Sequence, residues 1–222
     1  MEPRRVIDSG VTPSGEPIEL VFEAGHYVVR INGAPLMSSA MYGSEQAMAV
    51  VAAERLEHRQ SHRVLVGGLG MGFTLRAALD QFGADAEITV AELLPAVVRY
   101  HRGELGALTQ HALDDPRVTL FEGDVRGPLS RGGWDVVLMD VDNGPEAFTV
   151  PSNQDLYSSS GIEMIIGSLS PGGVLVVWSA FPSPAFERDV ERLGLAIESR
   201  RVRARASGKG PRHTLFVIQA AR

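Results

Sequence analysis

Short apolar runs alternate with segments of helical period along most of this chain. RVLVG (63–67), EITVAE (87–92), RVTLFEGD (117–124), WDVVLMD (134–140), VLVVWS (174–179), LAIESRRV (195–202) and HTLFVIQA (213–220) read as strands. Helices are predicted between them over 71–82, 95–105, 155–169 and 183–193. Upstream, IELVFEAGHYVVRI (18–31) alternates with a period of two on each side of Ala24-Gly25 and predicts a hairpin. Ser44 is placed as the N-cap of a helix, EQAMAVVAAERL, with Ala47, Val50, Val51 and Leu56 near one face.

Continuous apolar strands separated by helices indicate a mainly parallel sheet covered on both faces. The last two strands are joined by a loop too short for a crossover helix, so the final strand must run antiparallel. The predicted fold class is α/β. It is a seven-stranded, Rossmann-like sheet of the methyltransferase type, mostly parallel with an antiparallel last strand. Residues 1–43 are read as an N-terminal β-hairpin extension and 44–222 as a nucleoside-binding transferase domain.

Composition narrows the functional classes. The 222 residues are 44% hydrophobic and 22% charged, enough for a sizeable core. There is no cysteine, which excludes disulfides, thiolate metal sites and cysteine nucleophiles. The net charge of -6 argues against nucleic acid as a main partner. The N-terminus lacks the apolar core of a signal peptide, and no stretch approaches the ~20 apolar residues of a membrane span. A cytoplasmic protein is expected, acting on a small-molecule acceptor, with a second copy as partner in a homodimer and no membrane partner.

Open parallel sheets bind ligands at the carboxyl ends of their strands, beside the switch point. The first strand here ends in Gly68-Leu69-Gly70-Met71-Gly72, a turn whose glycines let backbone approach a ligand. The second ends in Glu92, placed to accept from ribose hydroxyls. The third ends in Gly123-Asp124, placed to accept from an adenine amino group. The fourth ends in Asp140-Val141-Asp142-Asn143-Gly144-Pro145, facing the open cleft. Any one of these occurs by chance in turns and helix starts. Their joint occurrence at successive strand ends predicts an adenosine-containing ligand, with S-adenosylmethionine favoured over a nicotinamide dinucleotide.

With these residues in place, the chain resembles the spermidine synthase family of aminopropyltransferases. RVLVGGLGMGFTLR is similar to the family pattern V-L-x-x-G-G-G-D-G-G-x-L-R. AEL, EGD, MDVDNGP and PGGVLVVWS fall in the family's order. The resemblance implies that Glu92 holds ribose, that Asp124 sits on the adenine side, and that Asp140 orients or deprotonates an attacking amine. Tyr42 and Gln46 lie where the family places acceptor-facing residues, and Tyr157 and Trp178 are further candidates for that pocket. Two departures stand out. The family's turn acid, which grips the amine of decarboxylated S-adenosylmethionine, is Met71 here. The family loop D-x-x-D-P-x-G-P is shortened to D-V-D-N-G-P, with Asp142 or Asn143 in place of the second acid. A thioether cannot replace a carboxylate opposite an ammonium. This favours intact S-adenosylmethionine and methyl transfer over aminopropyl transfer. A non-catalytic nucleoside-binding homologue is the third reading.

RRVRARASGKGPRH (200–213) adds a basic loop. Arg201, Arg203 and Arg205 share one strand face, and Lys209, Arg212 and His213 are expected to overhang the cleft. They would recognise an anionic acceptor or form a solvated sheet edge. No metal is predicted, because the histidines show no ligand spacing and WSAFP follows the strand where a metal site would need an Asp-Asn pair.

Overall fold

The computed structural model describes residues 4–56, 62–141, 143–145, 151–205 and 207–221. It opens on four antiparallel strands in chain order: β1 (Arg5–Val11), β2 (Pro17–Glu23), β3 (His26–Ile31) and β4 (Ala34–Ser38). The predicted hairpin is its centre, β2 and β3. The outer strands lack an alternating pattern of their own. In β1 only Ile7, Asp8 and Gly10 are even partly covered, and a bulge between Val6 and Asp8 breaks the alternation. The turn into β4 does carry a sequence signal: Asn32-Gly33 has positive φ at both residues, 52° and 76°, the type I′ hairpin signature.

The remaining elements are α1 (Gly43–Ala53), β5 (Arg63–Gly67), α2 (Phe73–Gln81), β6 (Glu87–Glu92), α3 (Pro95–Arg102), β7 (Val118–Glu122), α4 (Arg126–Leu129), β8 (Trp134–Met139), α5 (Ser159–Gly167), β9 (Leu169–Ser179), α6 (Pro184–Arg192), β10 (Ile197–Arg203) and β11 (Arg212–Gln219). Seven strands form one sheet in the order β10-β11-β9-β8-β5-β6-β7. Strands β5 to β9 pair in parallel, and β11 is antiparallel to both its neighbours, as predicted. The fold is α/β with a seven-stranded, mostly parallel sheet, preceded by the four-stranded antiparallel sheet.

Successive side chains of the central strands enter opposite cores. Val64, Val66, Val136, Leu138, Val174 and Val176 pack on one face, while Leu65, Val137, Met139, Leu175 and Val177 pack on the other. Every residue of β8 is buried. A strand covered on both faces must be apolar at every position, which is why these strands read as unbroken runs.

Several boundaries differ from expectation. Ser44 is not an N-cap: Tyr42 holds that position without a side-chain bond, and Ser44 lies fully buried in the first turn of α1. The helix predicted over 155–169 is divided, with a 3-10 segment at Pro151–Tyr157 followed by α5. Ser158 caps α5, its Oγ accepting from the Gly161 amide at 3.2 Å. Among the described residues, no helix is long and apolar enough to cross a membrane.

Candidate active site

The chain order runs outward from β5 through β6 to β7, then returns to β8 on the other side of β5. A cleft opens at the carboxyl ends of these strands, where such sheets leave space between crossover helices. Its volume is about 290 Å³. Gly68, Gly70, Met71, Gly72, Glu92, Gly123, Asp124, Asp140, Asn143 and Trp178, all singled out in the sequence, line it.

The glycine turn is built for close approach. The Gly68 amide donates to the Ala91 carbonyl at 2.8 Å, and the Asp140 amide donates to the Gly67 carbonyl at 2.8 Å. Gly68 has φ 91°, and a Cβ there would lie 2.3 Å from the Asp140 carbonyl oxygen. Gly72 has φ 82° and leads into α2; a Cβ there would meet His101 Cε1 at 2.5 Å and Thr109 at 2.9 Å. The buried His101 ring bonds through Nε2 to the Gly70 carbonyl at 3.0 Å, and burial holds its pKa down. It therefore serves as a neutral donor beneath the turn. Gly72→Ala is expected to destabilise the fold by about 1–3 kcal/mol, the cost of a strained left-handed residue. Chemical denaturation of the variant, which should unfold at lower denaturant than the parent, checks this.

Among the described residues, the four carboxyl groups that line the cleft differ in what they already hold. Glu92, 7% exposed, accepts from the amides of Leu69 (2.9 Å) and Gly70 (3.4 Å) through Oε2, and from Leu94 (2.8 Å) through Oε1. Burial pushes its pKa up, against the pull of these amides. It braces the glycine turn, and each oxygen keeps lone-pair capacity for a ligand hydroxyl. Asp124 is occupied by its neighbour: Oδ1 accepts from the Arg126 amide (2.9 Å) and Oδ2 from its guanidinium (2.8 Å). Both bonds are local, to the first residue of α4.

The other two carboxyl groups are bonded to hydroxyls. Asp140 accepts from the Thr74 hydroxyl at 2.6 Å. Desolvation, with Glu92 nearby and opposed by the Thr74 bond, pushes it up to about 6. Glu45, on α1, accepts from the Ser44 hydroxyl at 2.6 Å. Desolvation and the charge of Asp140 push it up to about 8. Among the described residues neither forms an ion pair with a basic side chain.

Glu45 and Thr74 were missed by sequence reasoning, which chose Gln46. The signal for Glu45 was present. It lies three and four positions before Met48 and Ala49, both fully buried, so the acid sits on the apolar stripe of its helix. Gln46 does not line the cleft; its amide donates back to the Tyr42 carbonyl at 3.1 Å. Tyr42 stacks on Phe73 at 4.5 Å, one layer behind the wall. Tyr157 is buried outside the cleft, its hydroxyl donating to the Val141 carbonyl at 2.9 Å. Asp142 lies outside the described residues. Met71, 6% exposed, both lines the cleft and joins the core beneath α2.

The basic loop reaches the cleft side of the sheet, since the Gly43 amide at the head of α1 donates to the Ala204 carbonyl at 2.8 Å. Among the described residues of that segment, only His213 lines the cleft. Arg201, Arg203, Lys209 and Arg212 are exposed and do not line it. The Arg203 guanidinium donates to the Gly210 carbonyl at 3.1 Å within the loop itself.

No protein-family model matches the chain. Polyamine aminopropyltransferases 1 and 2 of Ralstonia nicotianae are each 31% identical to it over 157 residues, 68% of this chain. Polyamine aminopropyltransferase 2 of Streptomyces coelicolor is 32% identical over 161 residues, 67% of this chain. The chain belongs to the spermidine synthase, or polyamine aminopropyltransferase, family. It spans under a third of the length of these relatives, 28–29%. The fold agrees: the crystal structure of spermidine synthase from Thermotoga maritima superposes with a TM-score of 0.74 at 17% identity, over 97% of this chain and 72% of that one. A spermidine synthase in complex with the transition-state analogue AdoDATO gives 0.73 at 18% identity, with the same coverage. The relatives are aminopropyltransferases by name, which supports the aminopropyl alternative better than the methyl transfer drawn from Met71 and the shortened loop.

Proposed function

We propose that this chain transfers an aminopropyl group from decarboxylated S-adenosylmethionine to a primary amine. The observation that carries this reading is the pair Glu45 and Asp140. Two carboxyl groups share a cleft and, among the described residues, no protein cation pairs with them, which disfavours their ionisation until a ligand brings positive charge. A cationic donor tail and an alkylammonium acceptor supply it. An anionic acceptor does not, and the exposed Arg201, Arg203, Lys209 and Arg212 lie outside the cleft.

The residues present fit an adenosyl donor. The glycine turn offers backbone with no side chain in the way, Glu92 retains acceptor capacity, and Leu69, Leu93, Leu94 and Val125 supply apolar walls. The donor contributes a carbon already activated by its sulfonium, so the protein's work is positioning and proton handling. The acceptor amine has a pKa near that of lysine, about 10.4, and arrives protonated. One N–H bond must break to free the lone pair. As the new N–C bond forms, the C–S bond breaks and its electron pair stays on sulfur as a neutral thioether. The product nitrogen keeps its remaining protons, so one proton leaves per turnover. Asp140, fixed by Thr74, faces the attacking nitrogen and accepts its hydrogen bond while positive charge builds there.

Met71 supports a second reading, methyl transfer from intact S-adenosylmethionine, because the turn carries no acid for an aminopropyl ammonium. One comparison separates the two. The decarboxylated donor is expected to bind about tenfold or more tightly than the intact one, because the latter would place a carboxylate beside two others. Calorimetry with both donors, followed by a transfer assay with a series of diamines, tests this. Equal or tighter binding of the intact donor, with no aminopropyl product, would overturn the aminopropyl reading.

A further inference from the structure

The cleft contains a hydrogen-bonded chain that positioning of an amine does not require. Ser44 Oγ lies 2.6 Å from Glu45 Oε2 and 2.8 Å from His213 Nδ1. It joins the first turn of α1 to the start of β11, and Glu45 and His213 both line the cleft. Ser44 is fully buried, so its hydroxyl exchanges protons only with these two neighbours. His213 is half-buried, and the indole of Trp178 packs edge-on against it at 4.7 Å and 74°.

We propose that Glu45, Ser44 and His213 form a proton relay through which the cleft discharges the proton taken from the acceptor ammonium. This rests on the aminopropyl-transfer reading above, which needs one proton to leave per turnover. Glu45 touches the ammonium and is the catalytic member; Ser44 and His213 act through it.

A serine hydroxyl has one hydrogen, and that restricts the chain to two arrangements in which the imidazole is neutral. With Glu45 ionised, Ser44 donates to Glu45, and His213 must carry its proton on Nδ1 to donate to Ser44. With Glu45 protonated, the carboxyl donates to Ser44, Ser44 donates to Nδ1, and the imidazole carries its proton on Nε2. Discharge links them. The carboxyl O–H bond breaks and a new O–H forms on Ser44, while the old Ser44 O–H breaks and Nδ1–H forms. The resulting imidazolium then loses its Nε2 proton to water, regenerating the Nδ1–H tautomer. Glu45 is reloaded as an ammonium N–H breaks and its O–H forms, and the imidazole, released from Ser44, gives its Nδ1 proton to water and takes one on Nε2, which resets the chain.

The charged surroundings favour this direction. The charge of Asp140, just past the end of β8, raises the Glu45 pKa, and a bound ammonium beside them favours ionised carboxylates over protonated ones. Burial holds the His213 pKa down, so the imidazolium is a transient carrier and not a resting charge. The other charged groups on β10 and its loop are Glu198, held by Arg55 and Arg200, and the exposed Arg201, Arg203, Arg205 and Lys209, with Arg212 beside His213. The basic groups repel an imidazolium and none takes its proton.

Nitrogen-15 NMR of the imidazole in the intact chain is a direct test. His213 is expected to switch from the Nε2–H tautomer below about pH 8 to the Nδ1–H tautomer above it, following Glu45. Ser44→Ala should abolish the switch. In turnover, His213→Asn keeps a group able to bond Ser44 but cannot carry a proton. It is expected to lower kcat by roughly tenfold, leave the KM for a diamine within about twofold, and change the pH profile. A tautomer that stays fixed across Glu45's titration overturns the relay whatever the activity. So does a His213→Asn variant with the parent's kcat and pH profile. Failure of the parent chain itself to transfer an aminopropyl group overturns the functional reading instead, and the tautomer measurement still decides whether the chain of three is coupled.

Discussion

Asp140→Asn is expected to lower kcat for amine transfer by about 10²–10⁴-fold, the range for losing the charged group that accepts the attacking nitrogen's hydrogen bond while Glu45 takes its proton. Asparagine keeps the volume and can still take the Thr74 hydroxyl bond at its carbonyl oxygen, so the turn should hold its shape. Binding of methylthioadenosine, which has no amine to contact, should change little. Single-turnover assays beside calorimetry separate the two effects. The pH dependence has a definite sign. Desolvation raises the Asp140 pKa to about 6, so its carboxylate is present above that value and lost below it. Activity should therefore fall as pH drops through about 6, and the acidic limb should vanish in Asp140→Asn. A variant that keeps parental turnover would remove Asp140 from the chemistry.

Glu45→Gln is expected to weaken binding of a diamine or of the decarboxylated donor by roughly 10- to 100-fold, about 1.5–3 kcal/mol for a charge-assisted hydrogen bond. Methylthioadenosine should again be unaffected. Glu45, raised to about 8, is mostly protonated at neutral pH in the free cleft and ionises when a cation arrives. Diamine binding near neutral pH should therefore release a proton, seen as a binding enthalpy that depends on the buffer, and Glu45→Gln should suppress that release. Stability follows the opposite limb. A carboxyl whose folded pKa is raised contributes stability that is present at low pH and lost as pH rises toward about 8. Adding Met71→Asp to Glu45→Gln moves a carboxylate to the glycine turn, which lines the same cleft. Recovered affinity for the cation in that double variant would show that α1 carries the charge the turn lacks. Unchanged affinity in Glu45→Gln alone would exclude Glu45 from cation binding.

The placement of these acids also bears on what was and was not legible in the sequence. The core of the sheet was legible because strands buried on both faces must be apolar throughout, a demand that β5, β8, β9 and the antiparallel β11 meet over most of their length. The antiparallel β11 followed from the length of one loop. Glu92 and Asp140 could be placed at the cleft because a strand end in an open α/β sheet is a place defined by chain order alone. Lys209 and Arg212 were misjudged for a related reason. Chain order brings their loop to the cleft side of the sheet, but whether a side chain enters the cleft depends on its orientation at a hairpin end, which spacing along the chain does not encode.

What the sequence determined by itself is therefore the sheet, its switch point and the acids at its strand ends, because local periodicity and connection length constrain each of them. What only the tertiary structure decided is which acids remain without a cationic partner among the described residues. Asp124 meets its guanidinium two residues away, yet Glu45 and Asp140 come from segments 95 positions apart, and His213 reaches Ser44 across 169. Such pairings are fixed by how α1 packs over the ends of β8 and β11. Burial, and with it the raised pKa values that suit these groups to proton transfer, exists only once that packing has excluded water.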